Sequence, residues 1–412
     1  MSTSLVYHAF GARTYHHVKT VFEGGAVYFH LTKKIHPRRC VVCRSKDVTL
    51  EGHREVTLRS LPIGSKPTYL VLGLHLLLCH TCGAVRQESR DVAEPRVSYT
   101  KALKRYVLEL ARSMTLRDVQ RHLGLGWDLI KSIVKSDLKR RAKKRSLRKV
   151  RRIAIDEIAI RKGHRYLTVV LDLDTGWVLY SAPGNDHSCL EPFFKKLKKA
   201  RAQLRAIAVD MSRGYAKAIR QYAPADVKVV FDKYHVVALM NRVIDDIRRA
   251  EQNRLDEKDR KVLKGSRFLL LYGIENLARR DVTHPLVVPR LERLDALMEA
   301  NQTLYEVYLL KEELRWLWSH RDKQTAERFL DQWLADAAEI DQPDLQRFAR
   351  TLDEHREQIL AYYDEPITTG PLEGLNNKLK VLKRVAYGYR DTEFFQLRVL
   401  FIHEVGTKVT GV

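Results

Sequence analysis

The stretch RAIAVDMSRGYAKAIRQYAPADVKVVFDKYH, Arg205 to His235, constrains the fold more than any other part of the chain. Ile207-Ala208-Val209 is an apolar β-type run with no polar alternation, the pattern of a strand covered on both faces. It stops at Asp210 and a Ser-Arg-Gly turn. Tyr215 to Tyr222 reads as a short helix closed by Pro224, and Val227 to Phe231 as a second buried strand ending at Asp232. Strand, helix, strand predicts a parallel pair with a right-handed crossover. Active groups of open α/β sheets gather beyond the carboxyl ends of strands, which is where Asp210 stands. A lone aspartate there is equally an Asx-turn or a cap, so its partners elsewhere in the chain decide.

The chain has 412 residues, enough for several domains, and 45% hydrophobic residues supply a sizeable core. Lys and Arg number 74 against 50 Asp and Glu, a formal charge of +24, which points to a polyanionic partner and to nucleic acid before membrane. The longest apolar run, Leu70 to Cys79, is too short to span a bilayer, and the N-terminus carries no signal-peptide pattern. A cytoplasmic, nucleoid-associated location is the expectation.

Four of the five cysteines form two C-x-x-C pairs, Cys40 with Cys43 and Cys79 with Cys82, separated by strand-like segments around a Leu-Pro-Ile-Gly-Ser turn. Two such knuckles joined by a hairpin make a closed tetrahedral thiolate site for structural Zn²⁺. The gap between the pairs is longer than in an ordinary zinc ribbon, and His53, His75 or His80 could replace a thiolate. Upstream, Gly24-Gly25 between two β-rich runs predicts a hairpin.

From Tyr99 the pattern turns helical. Thr115 caps a helix with Leu116, Val119 and Leu123 inward, a glycine turn follows, and Leu129, Ile130, Ile133 and Val134 mark a second helix. This is helix-turn-helix spacing, with Asp128, Lys131, Ser132 and Lys135 as polar candidates for the major groove. Residues 135–152 hold eleven Lys or Arg and one Asp, a density suited to phosphate contact, with Arg140 and Lys144 among them. Lys383 and Arg384 are further candidate DNA contacts.

Arg151 to Ile160, Tyr166 to Leu173 and Trp177 to Ser181 read as an antiparallel meander, followed by an amphipathic helix from Cys189 to Ala200. Three strands, helix, strand, helix, strand is the opening order of an RNase H-like sheet. After His235 the pattern is helical to about Tyr363 and carries Trp316, Trp318 and Trp333, for most of which core packing is expected. A last well-signalled helix has Pro371 in its first turn and Leu372, Leu375, Leu379 and Leu382 as its buried stripe.

Phosphodiester chemistry on DNA calls for two Mg²⁺ ions bridged by carboxylates. The candidates are Asp156 on the first core strand, Asp210 after the fourth and Glu373 on the last helix. Strand alternation puts Asp156 and Glu157 on opposite faces without saying which faces the site, and Glu373 is also a possible N3 capping residue. Lys380 lies on the same helical face as Glu373, a cation beside a carboxylate.

The segments IDEIAIRKGHRYLTVVLDLDTG, AVDMSRGY, VVFDKYH and EGLNNKLKVLKRVAYGYR resemble, in this order, the DDE transposases of bacterial insertion sequences, and most closely the ISL3 branch. The likeness covers nearly the whole chain. It implies an α/β RNase H-like core, a mixed five-stranded sheet, with an all-α insertion, preceded by a zinc-ribbon-like β domain and a helix-turn-helix. The corresponding divisions are residues 1–95, 96–150, 151–238, 239–365 and 366–412. It also implies that Asp156, Asp210 and Glu373 hold two Mg²⁺, for which Mn²⁺ can substitute, and that Asp232, His235 and Lys380 support them. Asp232-x-x-His235 resembles the D-x-x-H element of such enzymes, and Glu373 to Lys380 their E-x6-K signature. The expected activity is binding of terminal inverted repeats, cleavage of double-stranded DNA and strand transfer, by a homodimer that brings two ends together. The rivals are a DNA-binding regulator with an inactive core and an RNase H-like nuclease without strand transfer.

Overall fold

The computed structural model describes residues 5–35, 39–161, 165–254, 263–283 and 290–404. The chain divides into two compact units, Met1–Lys144 with Arg384–Val412, and Arg145–Lys383.

The first unit begins with a short helix α1 (Leu5–Phe10) and the strands β1 (Tyr15–Glu23) and β2 (Ala26–Lys33), paired antiparallel. Gly24 and Gly25 both have positive φ, the two-residue turn whose twist matches its flanking strands, so the expected hairpin is present. β3 (Val48–Arg59) and β4 (Thr68–Cys79) form the long hairpin between the cysteine pairs, β4 runs parallel to β2, and β5 (Val85–Gln87) pairs with β4. One face of this sheet buries Leu58, Leu70, Leu72 and Leu74 with Phe10 and Phe29.

Three helices follow: α2 (Lys101–Ser113), α3 (Leu116–Leu123) and α4 (Trp127–Lys144). Thr115 caps α3 by accepting from Asp118 N, and Gly124 ends it at φ 61°, a left-handed position that glycine takes without strain. Val119, Leu123, Ile130, Ile133 and Val134 interdigitate as the apolar spacing predicts. The C-terminal helix Thr392–Leu400 joins the same core through Phe394 and Leu397. Its N-cap, Asp391, accepts from Phe394 N and pairs with Lys131 at 2.9 Å and Lys135 at 2.8 Å, while Glu393 takes Lys135 at 2.8 Å and Lys139 at 2.7 Å.

The Lys135 ammonium, the Phe394 N–H and Lys131 hold the Asp391 carboxyl well below the usual carboxylate range. A depressed folded pKa contributes stability above the unfolded value and loses it as pH falls through the folded one. Asp391→Asn keeps the cap and removes the charge. It is expected to cost about 1 kcal/mol at neutral pH and nothing in strong acid, read by denaturant unfolding across pH.

The second unit holds a five-stranded sheet in the order β10-β9-β6-β7-β8. β6 (Arg152–Arg161), β7 (Arg165–Asp172) and β8 (Val178–Pro183) are the antiparallel meander. After α5 (Glu191–Lys199), β9 (Ala206–Val209) pairs parallel with β6. α6 (Arg213–Tyr222) then crosses to β10 (Lys228–Phe231), parallel to β9. Every residue of β9 is buried, as an apolar run without alternation requires of a central strand.

α7 (Lys233–Arg254) turns Val236, Met240, Ile244 and Ile247 into the core, a stripe of period 3.6. Among the described residues the chain is then helical as far as Tyr363, and its apolar residues are continuous with those of the sheet: Met240, Leu304, Trp333 and Leu360 share one core with Ile207 and Phe231. Trp333 is buried and donates from Nε1 to the Leu310 carbonyl at 2.8 Å, whereas Trp316 is 61% exposed. The last core helix is Gly370–Val385, with Leu372, Leu375 and Leu379 buried and Leu382 half-buried near its end. Among the described residues no helix is long and apolar enough to cross a membrane.

Candidate active site

The parallel register of β6 on β9 pairs Ala154 with Ala208. Two residues further along each chain stand Asp156 and Asp210, on the same face of neighbouring strands. β9 and β10 pair Val209 with Phe231, so Asp232 follows in the same row and donates its N–H to the Val209 carbonyl at 3.0 Å. Asp156, in the middle of β6 just past its pairing with β9, and Asp210 and Asp232, directly after β9 and β10, thus stand on three adjacent parallel strands, at about 4.8 Å per strand.

Asp156 is held at both oxygens. Oδ1 accepts from Glu157 N at 2.8 Å, and Oδ2 accepts from Asn376 Nδ2 at 3.2 Å. Asp210 Oδ1 accepts from Ser212 N at 3.2 Å, as a residue closing a turn does. Burial pushes the Asp156 carboxyl up, against the Glu157 N–H, the charge of His235 and Asn376; burial likewise pushes Asp210 up, against the Ser212 N–H and His235, with the Asp156 charge adding to the rise.

Asp232 is 1% exposed, yet hydrogen bonds from His235 and Thr369 outweigh burial and hold it low. The His235 Nδ1 lies 3.1 Å from Asp232 Oδ2, which also takes the Thr369 hydroxyl. That bond, together with the charges of Asp156 and Asp210, raises the His235 pKa against the effect of burial.

Thr369 and Asn376 anchor the last core helix to the strand ends. Thr369, Glu373, Asn376 and Lys380 follow at i, i+4, i+7 and i+11, one face of a helix. Glu373 therefore lies on the face that meets Asp232 and Asp156, between the two anchors, with its side chain exposed; Lys380 is exposed too.

The other acids near by have other duties. Glu157 accepts from Asn185 Nδ2 at 2.8 Å. Asp172 closes the β7–β8 turn by accepting from Asp174 N and the Thr175 hydroxyl, and Asp174 pairs with Arg152. Thr369 and Asn376 were not legible as site residues; the signal was their spacing from Glu373 along one helical face.

A divalent cation suits this donor set. Burial disfavours the charged forms of two half-buried carboxylates, a cost that a bound cation would offset, and among the described residues the buried amide Oδ1 of Asn376 has no hydrogen-bond partner.

In the first unit the four thiols of Cys40, Cys43, Cys79 and Cys82 lie within 4.8 Å of one another, with Sγ separations of 3.8 Å for Cys40 and Cys82 and 3.5 Å for Cys43 and Cys79. A tetrahedron with metal–sulfur bonds of about 2.3 Å has edges of about 3.8 Å, so the cluster is dimensioned for zinc. The knuckles are equivalent: Arg44 N donates to Cys40 O and Gly83 N to Cys79 O, and both residues have positive φ. The N–H groups of Cys43 and Val42 draw the Cys40 thiol down, while at Cys43 the Ser45 N–H is outweighed by hydrogen bonds with the Cys79, Cys82 and Cys40 thiols and by burial, which push that thiol up, so Cys40 and Cys43 do not titrate independently. Of the three histidines weighed as substitutes, His75 turns Nδ1 to the Gly52 carbonyl and His80 Nε2 lies 3.2 Å from the Thr49 hydroxyl. None belongs to the thiol cluster.

Of the candidate DNA contacts, Lys131 and Lys135 are engaged by Asp391, and Lys131 Nζ also stands 5.2 Å over the Trp127 ring. Ser132 is exposed and its hydroxyl donates to Leu129 O; Arg140 is exposed and paired with Asp137; Lys144 and Arg384 are exposed and Lys383 is half-buried.

Comparison with known proteins shows the family. A family model described as a transposase of the ISL3 type matches residues 153–399, and the helix-turn-helix domain of transposase family ISL3 matches residues 88–137. The transposase for insertion sequence element IS1001 of Bordetella parapertussis is 34% identical over 378 residues, 91% of this chain and 90% of that one. The transposase for insertion sequence element IS1557 of Mycobacterium tuberculosis is 28% identical over 386 residues, 86% of this chain and 83% of that one. Among solved structures, the Drosophila P element transposase strand transfer complex has a TM-score of 0.35 and 12% identity, over 76% of this chain and 93% of that one. The chain belongs to the ISL3 family of insertion-sequence transposases, DDE enzymes that carry a helix-turn-helix domain and cleave and join DNA.

Proposed function

We propose that Asp156, Asp210 and Glu373 are the metal-holding acids of this transposase, in an RNase H-like core, and that the ions are two Mg²⁺, replaceable by Mn²⁺. The observation that carries this reading is the in-register placement of Asp156 and Asp210 with the Glu373 helix bonded to Asp156 through Asn376. Bound there, divalent ions would polarise the scissile phosphodiester and lower the pKa of an attacking hydroxyl.

The chain's own groups prepare the place. Burial disfavours the bare charges of Asp156 and Asp210, and a cation bound between them would offset that cost. His235 is held by Asp232, and that bond, with the neighbouring acids, favours its protonated form. The hydrogen bonds to Asp156 fix its carboxylate, so it does not reorganise when a ligand binds. Lys380, one helical turn beyond Asn376, offers an ammonium to a DNA phosphate on the same face.

DNA binding is assigned to the helix-turn-helix, with Ser132 on the exposed face of α4 and Lys131 and Lys135 beside it. Arg140, Lys144, Lys383 and Arg384 are assigned to phosphates. Zn²⁺ at the four cysteines is structural. Two protomers hold the two element ends, and the protein acts at the nucleoid in the cytoplasm.

The test is incubation with Mg²⁺, terminal-repeat DNA and a plasmid target, where cleavage followed by joining is expected; cleavage without joining would return the nuclease reading. For binding, charge reversal at Arg140 and Lys144 is expected to weaken affinity for specific and random DNA alike. It should also lower the slope of log affinity against log salt by about 1 for each phosphate that is no longer neutralised, measured by fluorescence anisotropy. An unchanged slope would show that neither side chain reaches a phosphate.

A further inference from the structure

We propose that Asn376 is a further oxygen ligand of the active-site metal, delivered by the same helix as Glu373. The inference rests on the assignment of Asp156 and Asp210 as metal-holding acids and adds a residue to it.

The side chain is oriented by chemistry. An ionised carboxylate only accepts, so the amide group that faces Asp156 Oδ2 at 3.2 Å has to be the Nδ2 donor. That fixes the other end: Oδ1 shares a carbon with Nδ2, lies beside the same carboxylate, and is buried with no hydrogen-bond partner among the described residues. A buried carbonyl oxygen without a donor is costly and uncommon in a folded chain, and it persists where something else supplies its partner. Here the group next to it is a half-buried carboxylate, a second oxygen donor facing the same space. An amide carbonyl is a hard, neutral oxygen donor of the kind Mg²⁺ and Mn²⁺ accept together with carboxylates.

The helix makes the placement rigid. Thr369, seven residues before Asn376 on the same face, hydrogen-bonds Asp232, and Leu372, Leu375 and Leu379 are buried on the adjoining face. Glu373 lies between these anchors, so one helix brings a charged and a neutral oxygen donor to the strand ends together. Its neighbour Asn377 is exposed, which assigns the role to the first asparagine of the Asn376-Asn377 pair.

The test is Mn²⁺ binding to the full chain with its zinc retained, followed by electron paramagnetic resonance, with thermal melting of every variant. Asn376→Ala is expected to weaken Mn²⁺ binding by at least about tenfold without lowering the melting temperature. Asn376→Asp supplies an oxygen but cannot donate to Asp156, so it is expected to restore the affinity. If Asn376→Ala binds Mn²⁺ like the parent, the inference is overturned. If both variants lose affinity equally, Asn376 acts only as a donor to Asp156, which also overturns it. Asp156→Asn in the same titration separates the two levels: should it bind Mn²⁺ as the parent does, the underlying assignment of the acids fails, not the reading of Asn376.

Discussion

Asp156→Asn, Asp210→Asn and Glu373→Gln are each expected to lower both end cleavage and joining by at least about a hundredfold, while affinity for terminal-repeat DNA is kept. Removing a residue that merely supports a metal ligand already costs about ten- to a hundredfold, and these residues are assigned to the metal directly. Both chemical steps fall together because both use the same ions. Folding is retained: burial and the Asp156 charge raise the Asp210 carboxyl, so removing one charge relieves strain on the other. Glu373→Gln also decides the capping reading, since a glutamine still caps and a residue that only capped would leave activity near normal. Asp172→Asn and Asp174→Asn are the controls. Their bonds to Thr175 and Arg152 close a turn, so they are expected to change stability and leave the chemistry intact. Measurement is by gel-resolved cleavage and joining with anisotropy for binding, and an Asp210→Asn protein that cleaves at the parent rate would defeat the assignment.

The second large effect concerns zinc. Cys79 is buried at the end of β4, the strand that pairs with β2, β3 and β5, so its thiolate ties the cluster to the centre of the N-terminal sheet. Structural zinc contributes about 10–16 kcal/mol of apparent binding free energy in small zinc-binding peptides, far more than a single hydrophobic contact. Cys79→Ser is expected to release the metal and to unfold the knuckle region and the β3–β4 hairpin beside it. The parent is expected to carry one zinc per chain by atomic absorption. Limited proteolysis between Cys40 and Cys82 would report the unfolding, and a protein purified without zinc yet resistant to protease would contradict the account.

Much of this architecture was legible because its signals are local. Gly24-Gly25 can only be a tight turn between β runs, Thr115 and Gly124 cap and stop a helix, and the unbroken apolar run before Asp210 has to be a covered strand. The parallel crossover to Asp232 followed from the short helix between two such strands. The engagement of Lys131 and Lys135 was not legible. Their partners Asp391 and Glu393 stand more than 250 residues away, on a helix whose apolar face joins the helix-turn-helix core although its sequence follows the last core helix. Thr369 and Asn376 escaped for a related reason. A hydroxyl or an amide on a helix reads as solvated until the strand ends it faces are known, and the Asn376 bond to Asp156 spans 220 positions. The family likeness implies an all-α insertion after His235, and Met240, Leu304 and Trp333 of that stretch are continuous with the sheet's core, because α7 starts at Lys233 directly after β10 and carries its apolar stripe across.

The central claim is that three acids, two on neighbouring strands and one on the last core helix, jointly hold the divalent ions that this transposase uses. Anomalous scattering from Mn²⁺ in crystals of the protein with terminal-repeat DNA tests it most directly. The account predicts anomalous density within about 2.2 Å of carboxylate oxygens of Asp156, Asp210 and Glu373. Density held instead by Glu157, with Asp156 and Asp210 free of metal, would contradict it.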